Sequence, residues 1–155
     1  MNWKKGIAVA LSAISIMAMV AGCGSNTATN DQKKIGVIQL VEHPSLDAAN
    51  KGFVDGLASK GYKDGENIKL DQQNAQADQS NLNSIAQRFV SDKKDLVLAI
   101  ATPAAQTMAN ASHDIPIMGT AITDYVTAKL VQFNEHPGGN VSGTSDITPV
   151  EKEVD

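Results

Sequence analysis

Three predominantly apolar runs punctuate the chain: Ile35 to Val41, Leu96 to Ala101 and Ile115 to Gly119. Each is too continuously apolar for a sheet with one wet face, so each predicts a strand covered on both sides, as in parallel α/β sheets. Between them the spacing changes. Ala49, Phe53, Leu57 and Ala58 recur at three- and four-residue steps, with Asp47 and Asp55 on the polar side, Ser45 placed to cap and Gly61 to stop the helix. Asp64-Gly65 turns the chain into Asn67 to Asn74, whose alternation predicts a strand nearer the sheet edge. Gln76 to Ser80 opens a second helix, with Leu82, Ile85, Ala86, Phe89 and Val90 on one face.

The second half continues the alternation. Thr102 before Pro103 reads as a cap and a first helical residue, and His113-Asp114 ends that helix. Thr120 to Asp124 is expected as an elbow, Val126 to Phe133 as a short helix, and Pro137-Gly138-Gly139-Asn140 as a turn into a last strand, Val141 to Asp146. A helix starting at Thr148 has only about two turns before Asp155, too few to stand alone in water. Strands and helices alternating through short connections predict an α/β fold, an open parallel sheet flanked by helices.

The start of the chain follows another logic. Met1-Asn2-Trp3-Lys4-Lys5 is basic, Gly6 to Val20 is apolar and uncharged, and small residues precede Cys23. The apolar run is shorter than the roughly 20 residues a spanning helix needs, so it reads as an export signal. Val20-Ala21-Gly22-Cys23 resembles the bacterial lipobox, which implies cleavage before Cys23 and acylation of its sulfur. The expected organisation is a lipoprotein signal peptide at 1–22, a flexible tether at 23–32, a folded lobe at 33–147 and the start of a crossover at 148–155. The expected location is the outer face of the cell membrane, held there through the lipid.

Charge and composition narrow the function. The 155 residues hold 13 basic and 17 acidic side chains, and loss of Lys4 and Lys5 with the leader makes the balance more negative. Nucleic acid is therefore an unexpected partner, since it wants clustered Lys and Arg. Cys23 is the only cysteine, so the exported chain folds without a disulfide.

Ligands of open α/β sheets bind beyond the carboxyl ends of the strands, which singles out the residues following each run. Thr102 offers a hydroxyl at a helix start, suited to a small carboxylate, or it merely caps its own helix. Glu42, Asp124 and Asp146 could each face an ammonium group. Phosphate loops, dinucleotide fingerprints, nucleophile elbows and metal-ligand spacings are missing from the sequence, so no catalytic residue, metal or cofactor is expected. His43 with Ser45 or Asp47 is the one arrangement from which an exported hydrolase could be built.

Four blocks then carry a resemblance: Ile35 to Ala49, Asn74 to Leu82, Ala99 to Gln106 and Pro137 to Asp146. In this order they resemble the substrate-binding lipoproteins of ABC importers, in particular the group that includes tryptophan-binding proteins. The resemblance implies one lobe of a type 1 periplasmic binding protein, which closes with a second lobe on a small ligand and docks on a permease. It implies that Glu42, Thr102, Ala104, Thr123, Asp124, Ser145 and Asp146 line the cleft, with Thr102 and the backbone at Ala104 taking a ligand carboxylate. An amino acid, aromatic if Tyr125 stacks on it, is the implied ligand. A sugar or purine receptor acting in signalling has the same architecture. Two positions depart from the family pattern, Tyr125 standing for a proline and Lys129 for a glycine. A complete member is about twice as long, which predicts that this chain carries one wall of the cleft and alone binds ligand weakly or not at all.

Overall fold

The computed structural model of the protein describes residues 32–146. The leader, Cys23, the tether up to residue 31 and the start of the crossover lie outside the described residues.

Five strands form one sheet: β1 (Lys33–Gln39), β2 (Ile68–Asn74), β3 (Leu96–Ile100), β4 (Ile117–Ile122) and β5 (Val141–Ser145). The order is β2-β1-β3-β4-β5 and every pairing is parallel. Three helices, α1 (Pro44–Ser59), α2 (Gln79–Ser91) and α3 (Thr102–Ala111), complete the alternation. Parallel neighbours need crossovers, and here each crossover between β1 and β4 is a helix.

The two faces are unequal. Leu82, Ile85, Ala86 and Phe89 of α2 join Ala104, Ala105 and Met108 of α3 over Ile38, Val97, Ala99 and Ile117, the larger apolar cluster. On the opposite face, Leu46 and Phe53 of α1 cover Val37, Leu98 and Ile100. The predicted α1 stripe is only half-buried and Ala58 is exposed, because no second helix among the described residues flanks α1. Met118, on β4, is 43 % exposed for the same reason, beside a groove of about 450 Å³ that Phe53, Leu98 and Thr144 also line.

One ion-pair network ties β2 to the loop before β3. Asp71 accepts from the Lys94 ammonium at 2.8 Å and from Arg88 at 3.2 Å, and the Lys94 side chain is only 4 % exposed. Lys94 also lies 5.0 Å above the Phe89 ring. Burial pushes the Asp71 carboxyl up, but the bonds from Lys94 and Gln73 and the charges of Lys94 and Arg88 outweigh it and hold it below its ordinary range.

Two expected elements came out differently. Thr120, Ala121 and Ile122 belong to β4 rather than to an elbow, since β3 extends far enough to pair Ile100 with Thr120. Val126 to Phe133 is a single turn and not a helix. Ala128 N donates to Asp124 O, and the turn ends where Lys129 takes φ +58° and its N–H bonds Val126 O. A left-handed residue closes a helical turn, and lysine adopts that conformation at a cost glycine escapes. Lys129→Gly is therefore expected to stabilise the chain by about 0.5–1 kcal/mol, read as a higher urea midpoint.

Candidate ligand-binding rim

Because all five strands run the same way, Gln39, Asn74, Ile100, Ile122 and Ser145 end on one edge of the sheet. The backbone continues to tie these exits together. Ala75 N donates to Gln39 O (2.9 Å), Ala77 N to Leu40 O (2.8 Å), Leu40 N to Ile100 O (3.3 Å), and Ala101 N to Thr120 O (3.0 Å). β1 has β2 on one side and β3 on the other, with α1 leaving to one face and α3 to the other. A crevice opens at such a switch point, between the β1–α1 elbow and the start of α3.

The start of α3 is the most constrained part of the rim. Its N-cap is Ala101, at φ 81° and ψ 152°, and no side chain caps it. Thr102 already lies in the helix, so it does not cap α3 as the Thr-Pro spacing predicts. The N–H groups of Thr102 and Ala104, with Pro103 contributing none, stand at the positive end of the helix dipole without a side-chain acceptor. Thr102 is half-buried and Ala104 fully buried. The Ala101 conformation costs a non-glycine residue on the order of 1–3 kcal/mol and is sustained by the surrounding structure. Gln76, Ala77 and Ala121 also take positive φ, so strain recurs at three strand exits along this edge.

The β1–α1 elbow is fixed by a residue the sequence pattern conceals. Gln39, 4 % exposed, ends β1 inside the first apolar run, and its amide donates to Val41 O (2.8 Å) and to the Asp47 carboxylate (2.6 Å). A buried amide locking both the loop and the first turn of α1 explains why the strand ends polar. The cap of α1 is His43 rather than Ser45, with its Nδ1 accepting the Ser45 N–H at 3.3 Å. Asp47 answers Gln39, and His43 is spent on Ser45 backbone, so the elbow holds no hydrogen-bonded Ser–His–Asp chain. Glu42 is exposed on the same elbow.

The far end of the rim brings Thr123, Asp124, Ser145 and Asp146 together. Ser145 Oγ donates to Thr123 O (2.7 Å) and Asp146 N to Ile122 O (3.1 Å). Asp124 is engaged locally. Its carboxylate accepts the Val126 and Thr127 N–H groups and the Thr127 hydroxyl, at 2.8, 3.0 and 2.9 Å. The Thr127 N–H, then its hydroxyl, hold the Asp124 carboxyl below its ordinary range. Asp124 thus anchors its own turn, whereas Glu42 and Asp146 leave their carboxylates exposed. Tyr125 is 6 % exposed and packed into the larger apolar cluster, so it cannot stack on a ligand from this edge.

The arrangement is chemically specific. Uncapped amides and a hydroxyl at the middle of the rim suit an anion; exposed carboxylates on either side suit a cation. Among the described residues no group of three or more His, Cys, Asp or Glu could hold a metal ion. The rim is an open wall.

Comparison with known proteins agrees with this geometry. The family described as ABC transporter substrate binding protein matches residues 34–155. A tyrosine-binding protein of Clostridioides difficile (strain R20291) is 51 % identical over 163 residues, covering 98 % of this chain and 47 % of that protein. A ligand-free, open substrate-binding protein with adhesive properties from Clostridium difficile is 59 % identical, with TM-score 0.76 over 77 % of this chain and 41 % of its own. The ABC domain from Streptococcus pneumonia in complex with L-Trp is 49 % identical, with TM-score 0.73 over 76 % of this chain and 40 % of its own. The chain spans less than half the length of each of these relatives, and its sheet matches one lobe of the type 1 periplasmic binding fold.

Proposed function

The chain belongs to the ABC transporter substrate-binding protein family, and from that premise we propose that it forms one wall of a receptor for an aromatic amino acid in import. The observation that carries this reading is the uncapped start of α3, whose first turn bears the Thr102 and Ala104 amides and the Thr102 hydroxyl. These groups take the ligand carboxylate, and Glu42 or Asp146 faces its ammonium. Thr123 and Ser145 shape the same edge, while Asp124 supports it from behind. The names of the relatives favour tyrosine or tryptophan over a sugar or purine. The ring is then met by the opposing wall, since Tyr125 is buried here.

Ligand affinity in such receptors comes from burial between two walls, so one wall alone binds in the millimolar range, about −4 kcal/mol. For delivery to an ABC permease, acylated Cys23 would hold the chain close to the outer face of the membrane. Calorimetry tests the reading on a two-lobed chimera carrying residues 33–147 in place of the matching lobe of the C. difficile relative. L-Tyrosine or L-tryptophan should bind at least a hundredfold more tightly than tyramine or tryptamine. Equal affinity for the amines would remove the carboxylate from the account.

A further inference from the structure

Tyr125 stands at a break in the sheet. β4 and β5 pair in register at Gly119 and Gly143, lose register between Gly119 and Ile122, and resume at Ile122 and Ser145. An interruption of this kind leaves ladder groups without backbone partners. The Tyr125 hydroxyl crosses the gap and donates to Thr144 O at 3.1 Å. Thr120 and Thr144 hydroxyls meet beside it at 3.1 Å.

The two glycines make room for that phenol. A Cβ on Gly119 would sit 2.5 Å from the Tyr125 hydroxyl, and one on Gly143 would collide with the same hydroxyl and with Gly119 O. Residues without side chains on two paired strands thus form a slot that the Tyr125 phenol fills, with Ile122 Cδ1 beside it over Gly119. β5 is the edge strand of the described sheet, so its backbone ladder runs to β4 alone.

We propose that Tyr125 is a positioning residue, a latch that bridges the β4–β5 break through the Gly119/Gly143 slot and fixes where Ser145 and Asp146 stand on the rim. Its bearing on ligand binding rests on the rim being the ligand wall, as proposed above. Burial, with the Asp146 charge adding to it, pushes the phenol up to about 12, in keeping with a hydroxyl enclosed beside the end of β5.

Hydrogen–deuterium exchange on the 155-residue chain tests the latch without any ligand. Tyr125→Phe keeps the ring and removes the donor. The Asp146 amide, bonded to Ile122 O, should then exchange about fivefold faster, while the Val37 and Leu98 amides of the central strands keep their rates. An unchanged Asp146 rate, or the same acceleration at all three amides, would overturn the latch. Gly119→Ala gives a second readout, because its methyl would crowd the phenol and Ile122 out of their present places. In an ultraviolet titration Tyr125 should ionise well above the ordinary tyrosine range, and that transition should drop in the variant. Its persistence would count against the slot. In the two-lobed chimera, Tyr125→Phe should weaken L-tyrosine binding severalfold. Faster Asp146 exchange with undiminished affinity would leave the latch standing and remove β5 from the ligand wall.

Discussion

Thr102→Asp is expected to abolish aromatic amino-acid binding by the two-lobed chimera while leaving the fold at least as stable. The substitution places a carboxylate among the amides that open α3, where no side chain now accepts from them. Negative charge in a first helical turn is favourable by about 0.3–1 kcal/mol, so urea unfolding should show no loss. For a ligand the same charge is repulsive. Two unit charges about 4 Å apart interact by about 4 kcal/mol at an effective dielectric of about 20, so affinity should fall at least about a hundredfold. Thr102→Val, which removes only the hydroxyl, should cost about fivefold. A Thr102→Asp variant that binds L-tyrosine normally would exclude the α3 start as the carboxylate site.

The second large effect concerns stability. Asp71→Ala is expected to destabilise the chain by about 2–3 kcal/mol, whereas Lys94→Met should cost under about 1 kcal/mol. Both remove the same 2.8 Å ion pair, yet they leave different groups behind. Without Asp71, the Lys94 ammonium remains 4 % exposed, with Asp92 at 3.5 Å and the Phe89 ring as its nearest support. Without Lys94, Asp71 keeps Arg88 at 3.2 Å and some solvent. The Asp71 carboxyl is held below its ordinary range by Lys94, Gln73 and Arg88. Its contribution is therefore complete above about pH 5 and is lost as pH falls below 4. The urea midpoint should be flat between pH 7 and 5 and then fall, more steeply in the wild type than in Asp71→Ala. Equal losses from the two substitutions would contradict this reading of the network.

Much of the rim was legible because parallel pairing leaves little choice: once Ile35 to Val41 and Leu96 to Ala101 are strands of one parallel sheet, Glu42 and Thr102 must leave by the same edge. What escaped depends on contacts made elsewhere. Thr102-Pro103 predicts a threonine cap, but the helix begins one residue earlier because Ala101 is held in a left-handed conformation by its bond to Thr120 O. Thr120 to Ile122 reads as an elbow because it follows a glycine, and pairing with β3 makes it strand. Tyr125 looks like a ring at a strand's end, yet it turns inward because Gly119 and Gly143 leave room beneath it. Gln39 had a signal that went unused, an amide inside an apolar run eight residues before Asp47, the carboxylate it binds.

The most direct test of the central claim needs no second lobe. A titration of the isotope-labelled 155-residue chain with L-tryptophan, followed amide by amide in a heteronuclear NMR spectrum, locates even millimolar binding. Shifts should concentrate at Thr102, Ala104 and Ala105, with smaller ones at Glu42 and Asp146, and should vanish with tryptamine. Shifts centred away from the rim, in the groove between α2 and α3 near Asn83 and Asn110, or equal shifts with tryptamine, would contradict it.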